Sequence, residues 1–172
     1  KIFICFLNII IGDIRKNYNG FNLIEDGRGC PFTCSYCSFR KNFQYRLKSV
    51  NRVINEIKSI PKDFKNINIF FTSSSFTFPA KRAREISRRI IEEGLMYRYM
   101  AYARAPDISP ELVRLMRSAN FYCLFFGLES MDERVLKRAN KMTDPIEIKN
   151  AVQMTHDAGI FTDCSFIIGL PG

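Results

Sequence analysis

Apolar residues along this chain fall into short runs of strand length that alternate with segments of helical spacing. Continuous apolar runs predict buried strands, because strands of a parallel sheet are covered on both faces. Apolar positions three and four residues apart predict helices that bury one face. The runs predict five strands, at 21–26, 67–72, 97–102, 121–126 and 162–168.

The segments between these strands carry recognisable helix start and stop signals. Serine, aspartate and proline satisfy or tolerate the orphan amides of a first turn, and glycine commonly closes a helix. These signals predict helices over 47–60 and 79–93, one that starts at Ser109, and one from Asp144 to Gly159. After the fourth strand, Ser130 with Glu133 predicts a capping box for a short helix.

Strands that alternate with helices predict an α/β fold, with a parallel sheet and right-handed crossovers. Two architectures fit this order, an open doubly wound sheet and part of a β/α barrel. With 172 residues, 47% of them hydrophobic, the chain is long enough for one domain with a real core. Because the fifth strand meets the last residues, we interpret the chain as an incomplete barrel, with a lead-in over 1–20 and a core domain over 21–172.

The charge is basic, but it does not identify a partner. Lys and Arg number 26 against 17 Asp and Glu, which gives a formal net charge of +9. The densest basic run, KRAREISRR, is a solvated helix face or, as the alternative, an RNA-binding patch. The longest apolar run, at 2–11, is about half the length of a membrane span, and no signal-peptide cleavage pattern follows it. We expect a cytoplasmic protein without a membrane segment.

Three of the six cysteines crowd into eight residues, as Cys30, Cys34 and Cys37. Clustered thiols favour a metal site in a reducing compartment over disulfides. Spacings of three and two residues let one loop reach three irons of a cubane cluster, and the fourth ligand of an ordinary ferredoxin is missing nearby. A zinc site is the alternative, but zinc prefers four ligands and the only histidine, His156, lies in a remote helix. The remaining cysteines lie in apolar stretches, where cysteine is usually a small buried residue: Cys5, Cys123 and Cys164.

The loop C-x3-C-x2-C after the first strand, with the aromatic Tyr36 before its third cysteine, resembles the signature of radical S-adenosylmethionine (SAM) enzymes. Further matches are GLES at 127–130 and SFIIGLPG at 165–172. Together they resemble the subgroup of cobalamin-binding-domain radical SAM enzymes, methylthiotransferases and oxygen-independent coproporphyrinogen oxidases. The resemblance covers roughly residues 20–172.

This resemblance implies a partial (βα)6 barrel that holds a [4Fe–4S] cluster on Cys30, Cys34 and Cys37, with SAM on the open iron. The reduced cluster would cleave SAM to methionine and a 5′-deoxyadenosyl radical, which abstracts hydrogen from a substrate that the sequence does not specify. An electron donor such as flavodoxin or ferredoxin is the implied partner. Cobalamin would need a further domain, because no D-x-H-x-x-G motif occurs in this sequence.

The family pattern also assigns residues to SAM. Tyr36 would lie near the adenine, and Glu129 would accept hydrogen bonds from the ribose or the amino group. The backbone at Ile167 and Gly169 would flank the adenine, and Arg104 would meet a carboxylate. All of these residues fall at or just after the carboxyl ends of predicted strands or in the cysteine loop, where barrel sites assemble.

Two of these residues have structural alternatives, since Glu129 could cap the next helix and Arg104 could pair with Asp107. The chain also departs from the family at 72–75, where TSSS replaces a glycine-rich GGEP-like motif that helps to hold the SAM amino group. Backbone carbonyls or serine hydroxyls would have to replace it. This departure supports a second hypothesis, a non-catalytic iron–sulfur electron carrier or a degenerate cluster-binding protein.

Overall fold

The structure is a computed structural model that describes residues 20–38, 43–61 and 67–172. Within these ranges the strands are β1 (Phe21–Ile24), β2 (Gly27–Arg28), β3 (Arg46–Leu47), β4 (Asn68–Phe71), β5 (Arg98–Ala103), β6 (Phe121–Glu129) and β7 (Phe161–Phe166). The helices are α1 (Val50–Lys58), α2 (Ala80–Glu92), α3 (Pro110–Ser118), α4 (Glu133–Arg138) and α5 (Pro145–Asp157), with a 3₁₀ turn at Ala105–Asp107. The lead-in predicted over 1–20 lies outside the described residues apart from Gly20, and so does Cys5.

The main sheet has five strands in the order β1-β4-β5-β6-β7, and every neighbouring pair is parallel. Each connection between neighbouring strands of this sheet contains at least one helix. A doubly wound sheet reverses its strand order at a switch point, whereas this order follows the chain without reversal, as in a β/α barrel. The predicted α/β partial barrel with five parallel strands is confirmed.

Helix caps and strand ends agree with the sequence in most places. The Ser109 hydroxyl accepts from the Leu112 amide (3.1 Å), and the Asp144 carboxylate accepts from two amides of the first turn of α5. The capping box of Ser130 with Glu133 is wrong, because α4 begins at Glu133, two residues later than that motif requires. Asp132 is its cap, and the Ser130 hydroxyl instead accepts from the Asp132 amide (3.0 Å).

The main core lies between the helices and one face of the sheet. Phe71 on β4 stacks on Tyr99 of β5 and on Phe121 of β6, with ring centroids 5.7 and 5.9 Å apart. Because side chains alternate along a strand, the intervening residues lie on the opposite face. That face carries a second, smaller apolar cluster around Met100, Cys123 and Phe125. Cys123 is buried in this cluster, which confirms the prediction that it is a small buried residue.

The basic helix α2 uses three of its cations within the fold. Arg82 pairs with the buried Asp26, Arg88 with Glu85 (2.8 Å) and Arg89 with Glu93 (2.7 Å). The run KRAREISRR therefore forms mainly intramolecular ion pairs. Across the described residues, none of the helices combines the length and the apolar character that a membrane crossing needs.

Candidate cluster and SAM site

The cysteine loop starts from a backbone turn that requires glycine. Strands β2 and β3 pair Gly27 with Leu47 and so join the two ends of the loop. Gly29 has a φ of +74°, and a Cβ there would lie 2.7 Å from the Gln44 carbonyl oxygen. Glycine is the residue that adopts this conformation without strain, so Gly29 allows the close approach that positions the adjacent Cys30.

Three thiols lie on this loop, and all are free and partly buried: Cys30, Cys34 and Cys37. The Cys37 amide donates to the Cys34 carbonyl (3.2 Å), which closes a turn between the second and third thiols. In the described part of the chain, no three Cys, His, Asp or Glu side chains converge on a single metal ion. The thiolates of a cubane bind different irons, and three free thiols on one loop fit that cluster in type and number.

A buried ion pair lies beneath the cysteine loop. Asp26, directly before Gly27, is fully buried and accepts from the Ser73 amide (3.1 Å), the Ser73 hydroxyl (2.9 Å) and Arg82 Nη1 (3.1 Å). Arg82 also donates to the carbonyls of Asp26 (2.8 Å) and Lys48 (3.2 Å). The network joins the end of β1, the segment after β4 and helix α2, so it holds both flanks of the loop.

The segment Thr72–Ser75 is bonded to the same loop. Ser74 Oγ donates to the Gly29 carbonyl (2.7 Å), and the hydroxyls of Ser75 and Thr77 share a hydrogen bond (3.2 Å). The serines that replace the GGEP-like motif thus make intramolecular bonds. For a ligand ammonium group, this segment offers the remaining lone pairs of these oxygens and its backbone carbonyls.

Arg104 lies against the cysteine loop and also makes its alternative contact. Its guanidinium carbon is 3.4 Å from the centroid of the Phe32 ring, and Nη1 is 3.7 Å from Asp107 Oδ1. Phe32 packs edge-on against Phe78, with centroids 4.9 Å apart. Burial raises the pKa of the Asp107 carboxyl, and the Arg104 charge opposes that shift. A cation–π contact therefore ties the end of β5 to the loop that carries the thiols.

Glu129, at the end of β6, faces the site and does not cap a helix. Lys141 Nζ donates to Glu129 Oε1 (3.1 Å) and to the Tyr36 hydroxyl (3.2 Å). A Cβ on Gly127 would lie 2.6 Å from Glu129 Oε1, so glycine leaves room for this carboxylate. Burial, followed by the Glu129 charge, raises the pKa of Tyr36. Glu129, Lys141 and Tyr36 form one polar group beside the thiols, while Asp132 is the cap of α4.

The connection after α4 is attached directly to the cysteine loop. The Ser35 amide donates to the Ala139 carbonyl (2.9 Å), and Asn140 Nδ2 donates to the Thr33 carbonyl (3.2 Å). Lys141 follows directly and reaches Tyr36 from this connection. Sequence reasoning missed Lys141, because one charged residue in a polar connection carries no pattern that distinguishes it from a solvated lysine.

The last two predicted SAM residues differ in their placement. The Ile167 amide donates to the Glu129 carbonyl (3.0 Å), which brings the end of β7 to the polar group. Gly169 has a φ of +89°, and a Cβ there would meet no heavy atom within 4 Å. Ile167 therefore lies beside Glu129, whereas the space around the Cβ position of Gly169 is open in this structure.

Comparison with known proteins identifies the family. The model of the Radical SAM superfamily matches residues 24–172. The chain belongs to the radical SAM superfamily. Membership confirms the family that the cysteine loop resembles, and with it the expected cofactors, a [4Fe–4S] cluster and SAM.

Two curated relatives and one solved structure illustrate the similarity. An uncharacterized methyltransferase of Pyrococcus horikoshii is 33% identical over 153 residues, covering 88% of this chain and 33% of that protein. The anaerobic magnesium-protoporphyrin IX monomethyl ester cyclase of Rubrivivax gelatinosus is 32% identical, covering 83% and 26%. The radical SAM methyltransferase TsrM of Kitasatospora setae has a similar fold, with a TM-score of 0.77 at 18% identity and coverage of 91% and 32%. The chain spans about a third or less of the length of these three proteins.

Proposed function

We propose that this chain is the cluster- and SAM-binding core of an enzyme that abstracts hydrogen from its substrate, and that Cys30, Cys34 and Cys37 hold the cluster. The observation that carries the proposal is the set of free thiols on one loop beside the group of Tyr36 and Glu129. When bound and reduced, the cluster supplies the electron that cleaves SAM into methionine and a 5′-deoxyadenosyl radical. The substrate and the final product belong to the whole protein.

The polar group beside the thiols offers complementary contacts for SAM. The Glu129 carboxylate accepts hydrogen bonds, which suits the ribose hydroxyls or the ammonium, and the Tyr36 ring offers an apolar face near the adenine. A lysine ammonium has three donors, and Lys141 uses two of them on Glu129 and Tyr36. Its third donor suits the SAM carboxylate. Lys141 also compensates the charge of Glu129, which is only 9% exposed.

The residues around the loop would exclude water and stabilise negative charge. Phe32 and Phe78 pack together at the loop, and Tyr45 lies against Phe78 with centroids 6.5 Å apart. Arg104 places a cation on the Phe32 ring, beside a loop that would carry three thiolates. Apolar shielding and a nearby positive charge are the means by which a protein adjusts the potential of such a cluster.

Electron delivery and location form part of the same proposal. A reduced flavodoxin or ferredoxin would supply the electron, since the radical SAM reaction needs a one-electron donor. The five cysteines in the described residues are free, which supports a cytoplasmic, reducing environment.

Anaerobic reconstitution with iron and sulfide tests the cluster ligands. We expect roughly four irons per chain in the wild type, and we expect Cys34→Ala to lose the cluster because two thiolates hold a cubane poorly. Cys164→Ala is the matched control, because Cys164 lies on β7 away from the loop, and it should keep full iron content. Equal iron in both variants would contradict the assignment.

Addition of dithionite and SAM to the reconstituted chain then tests the reaction. We expect 5′-deoxyadenosine and methionine in equal amounts. A cluster that is reduced without SAM cleavage would favour the second candidate, an iron–sulfur electron carrier. That candidate is favoured by one observation, the segment Thr72–Ser75, which lacks an acidic residue and whose hydroxyls bond within the protein.

A further inference from the structure

The sheet face opposite the helices carries a cluster of aromatic rings. Phe70 on β4, Tyr102 on β5 and Phe125 on β6 contact one another, with ring centroids 5.2 to 5.6 Å apart. These residues belong to the second apolar cluster, which is separate from the main core under the helices. Asp163 on β7 is the register partner of Phe125, so it extends the same layer onto the next strand.

Among the described residues, the Asp163 carboxylate has no charge partner. It is partly buried, and no hydrogen bond or ion pair reaches it from any other residue that the structure describes. Burial raises the pKa of the Asp163 carboxyl, and its charge contributes to the raised pKa of the Tyr102 phenol. A partly buried carboxylate at the edge of an apolar cluster is suited to a ligand that brings a positive charge.

This layer lies directly below the proposed SAM site. Tyr102 on β5 is two residues before Arg104, which follows the strand in extended conformation; this corresponds to about 7 Å along the chain and places both on the same face. On β6 and β7, the layer between Asp163 and Glu129 is formed by the register partners Gly127 and Ser165. Gly127 has no side chain, and the Glu129 carboxylate fills the space beside it, so the polar group at the strand ends lies next to this layer.

We propose that the inner face made of Phe70, Tyr102, Phe125 and Asp163 binds the substrate and selects a flat, apolar or aromatic molecule that carries a cationic nitrogen. The inference rests on the proposed function, because it names the substrate class of the same site. The rings supply apolar contact area, and Asp163 supplies a charge-assisted hydrogen bond to the nitrogen. Asp163 is therefore a specificity-determining residue.

Equilibrium dialysis of three indole probes against the reconstituted chain tests this inference. The probes share one ring and differ in charge: tryptamine is cationic, 3-ethylindole is neutral and indole-3-propionate is anionic. We expect wild-type chain to bind tryptamine about tenfold more tightly than 3-ethylindole, and to bind the anion most weakly. Asp163→Asn should abolish the preference for tryptamine and leave 3-ethylindole binding unchanged.

Asp157→Asn, at the exposed end of α5, is the matched charge control and should bind all three probes like the wild type. Thermal unfolding of each variant reports whether it is folded, and Asp163→Ser serves if the asparagine variant is not. The inference is overturned if tryptamine is not preferred, if the preference survives removal of the Asp163 charge, or if no probe binds saturably. These readouts need no SAM cleavage, so a chain that shows the Asp163-dependent preference but forms no 5′-deoxyadenosine would fail only the proposed function.

Discussion

Removing the Asp26 carboxylate tests whether the buried ion pair beneath the cysteine loop stabilises the fold as its contacts imply. The Asp26 side chain is 0% exposed and that of Arg82 is 9% exposed. Asp26→Ala deletes the acceptor for Arg82 Nη1 and for two donors of Ser73. Removing one partner of a buried pair typically costs about 3–5 kcal/mol, because the other charge stays buried without compensation. We therefore expect the free energy of unfolding to fall by about 4 kcal/mol.

The preceding residue provides a matched control. Glu25 also pairs with an arginine, Arg28, at 2.8 Å, but the two side chains are 46% and 44% exposed. Exposed ion pairs typically contribute about 0–1 kcal/mol, because water screens the charges. Glu25→Ala should therefore lower the free energy of unfolding by less than about 1 kcal/mol.

Urea unfolding followed by circular dichroism measures both variants. With a slope of about 2 kcal/mol per molar urea, a loss of about 4 kcal/mol lowers the midpoint by about 2 M. If Asp26→Ala is too unstable to fold, Asp26→Asn retains a hydrogen-bond acceptor and should give an intermediate midpoint. Midpoints for Asp26→Ala and Glu25→Ala that agree within error would show that the buried pair stabilises the fold no more than the exposed pair.

Three other residues give independent tests. Phe71→Ala should lower the free energy of unfolding by about 3–5 kcal/mol in the same urea assay, because the Phe71 ring is fully buried. Ile168→Ala should change this free energy little, because Ile168 is 99% exposed. Equal effects of the two substitutions would contradict the core assignment. Lys141→Met should raise the Kd for SAM about tenfold in equilibrium dialysis. The substitution removes the charge that compensates Glu129 and a hydrogen-bond donor to SAM. An unchanged Kd would count against this role of Lys141. Cys123 should resist iodoacetamide at pH 8, because burial raises the pKa of its thiol to about 12 and leaves about one thiol in ten thousand ionised. Labelling of Cys123 as fast as that of the loop cysteines, measured by mass spectrometry, would disprove this.

The sheet was predictable because its strands are apolar runs that a parallel arrangement buries on both faces. The run at 67–72 became β4 at Asn68–Phe71, and the alternation with helices led to the parallel order. The end of β6 was not predictable in the same way. Pairing with β7 carries β6 through Glu129, although the apolar run ends earlier. A strand end that contains a charged residue depends on its neighbour and not on its own hydrophobicity.

The thiols of the candidate site were visible in the sequence because their spacing is local. The residues that support the thiols were not visible in the sequence, because their contacts join positions that lie far apart along the chain. Lys141 meets Tyr36 across 105 positions, and Arg82 meets Asp26 across 56. Periodicity reports which face of an element is buried, but it carries no information about which charged residues on different elements will meet.

We infer that three thiolates hold the cluster and leave one iron open to SAM. Electron paramagnetic resonance of the reconstituted, dithionite-reduced chain, recorded with and without SAM, tests this arrangement. A cluster with an open iron changes its environment when SAM binds, so we predict that the spectrum shifts on addition of SAM. Identical spectra with and without a saturating concentration of SAM would contradict the account.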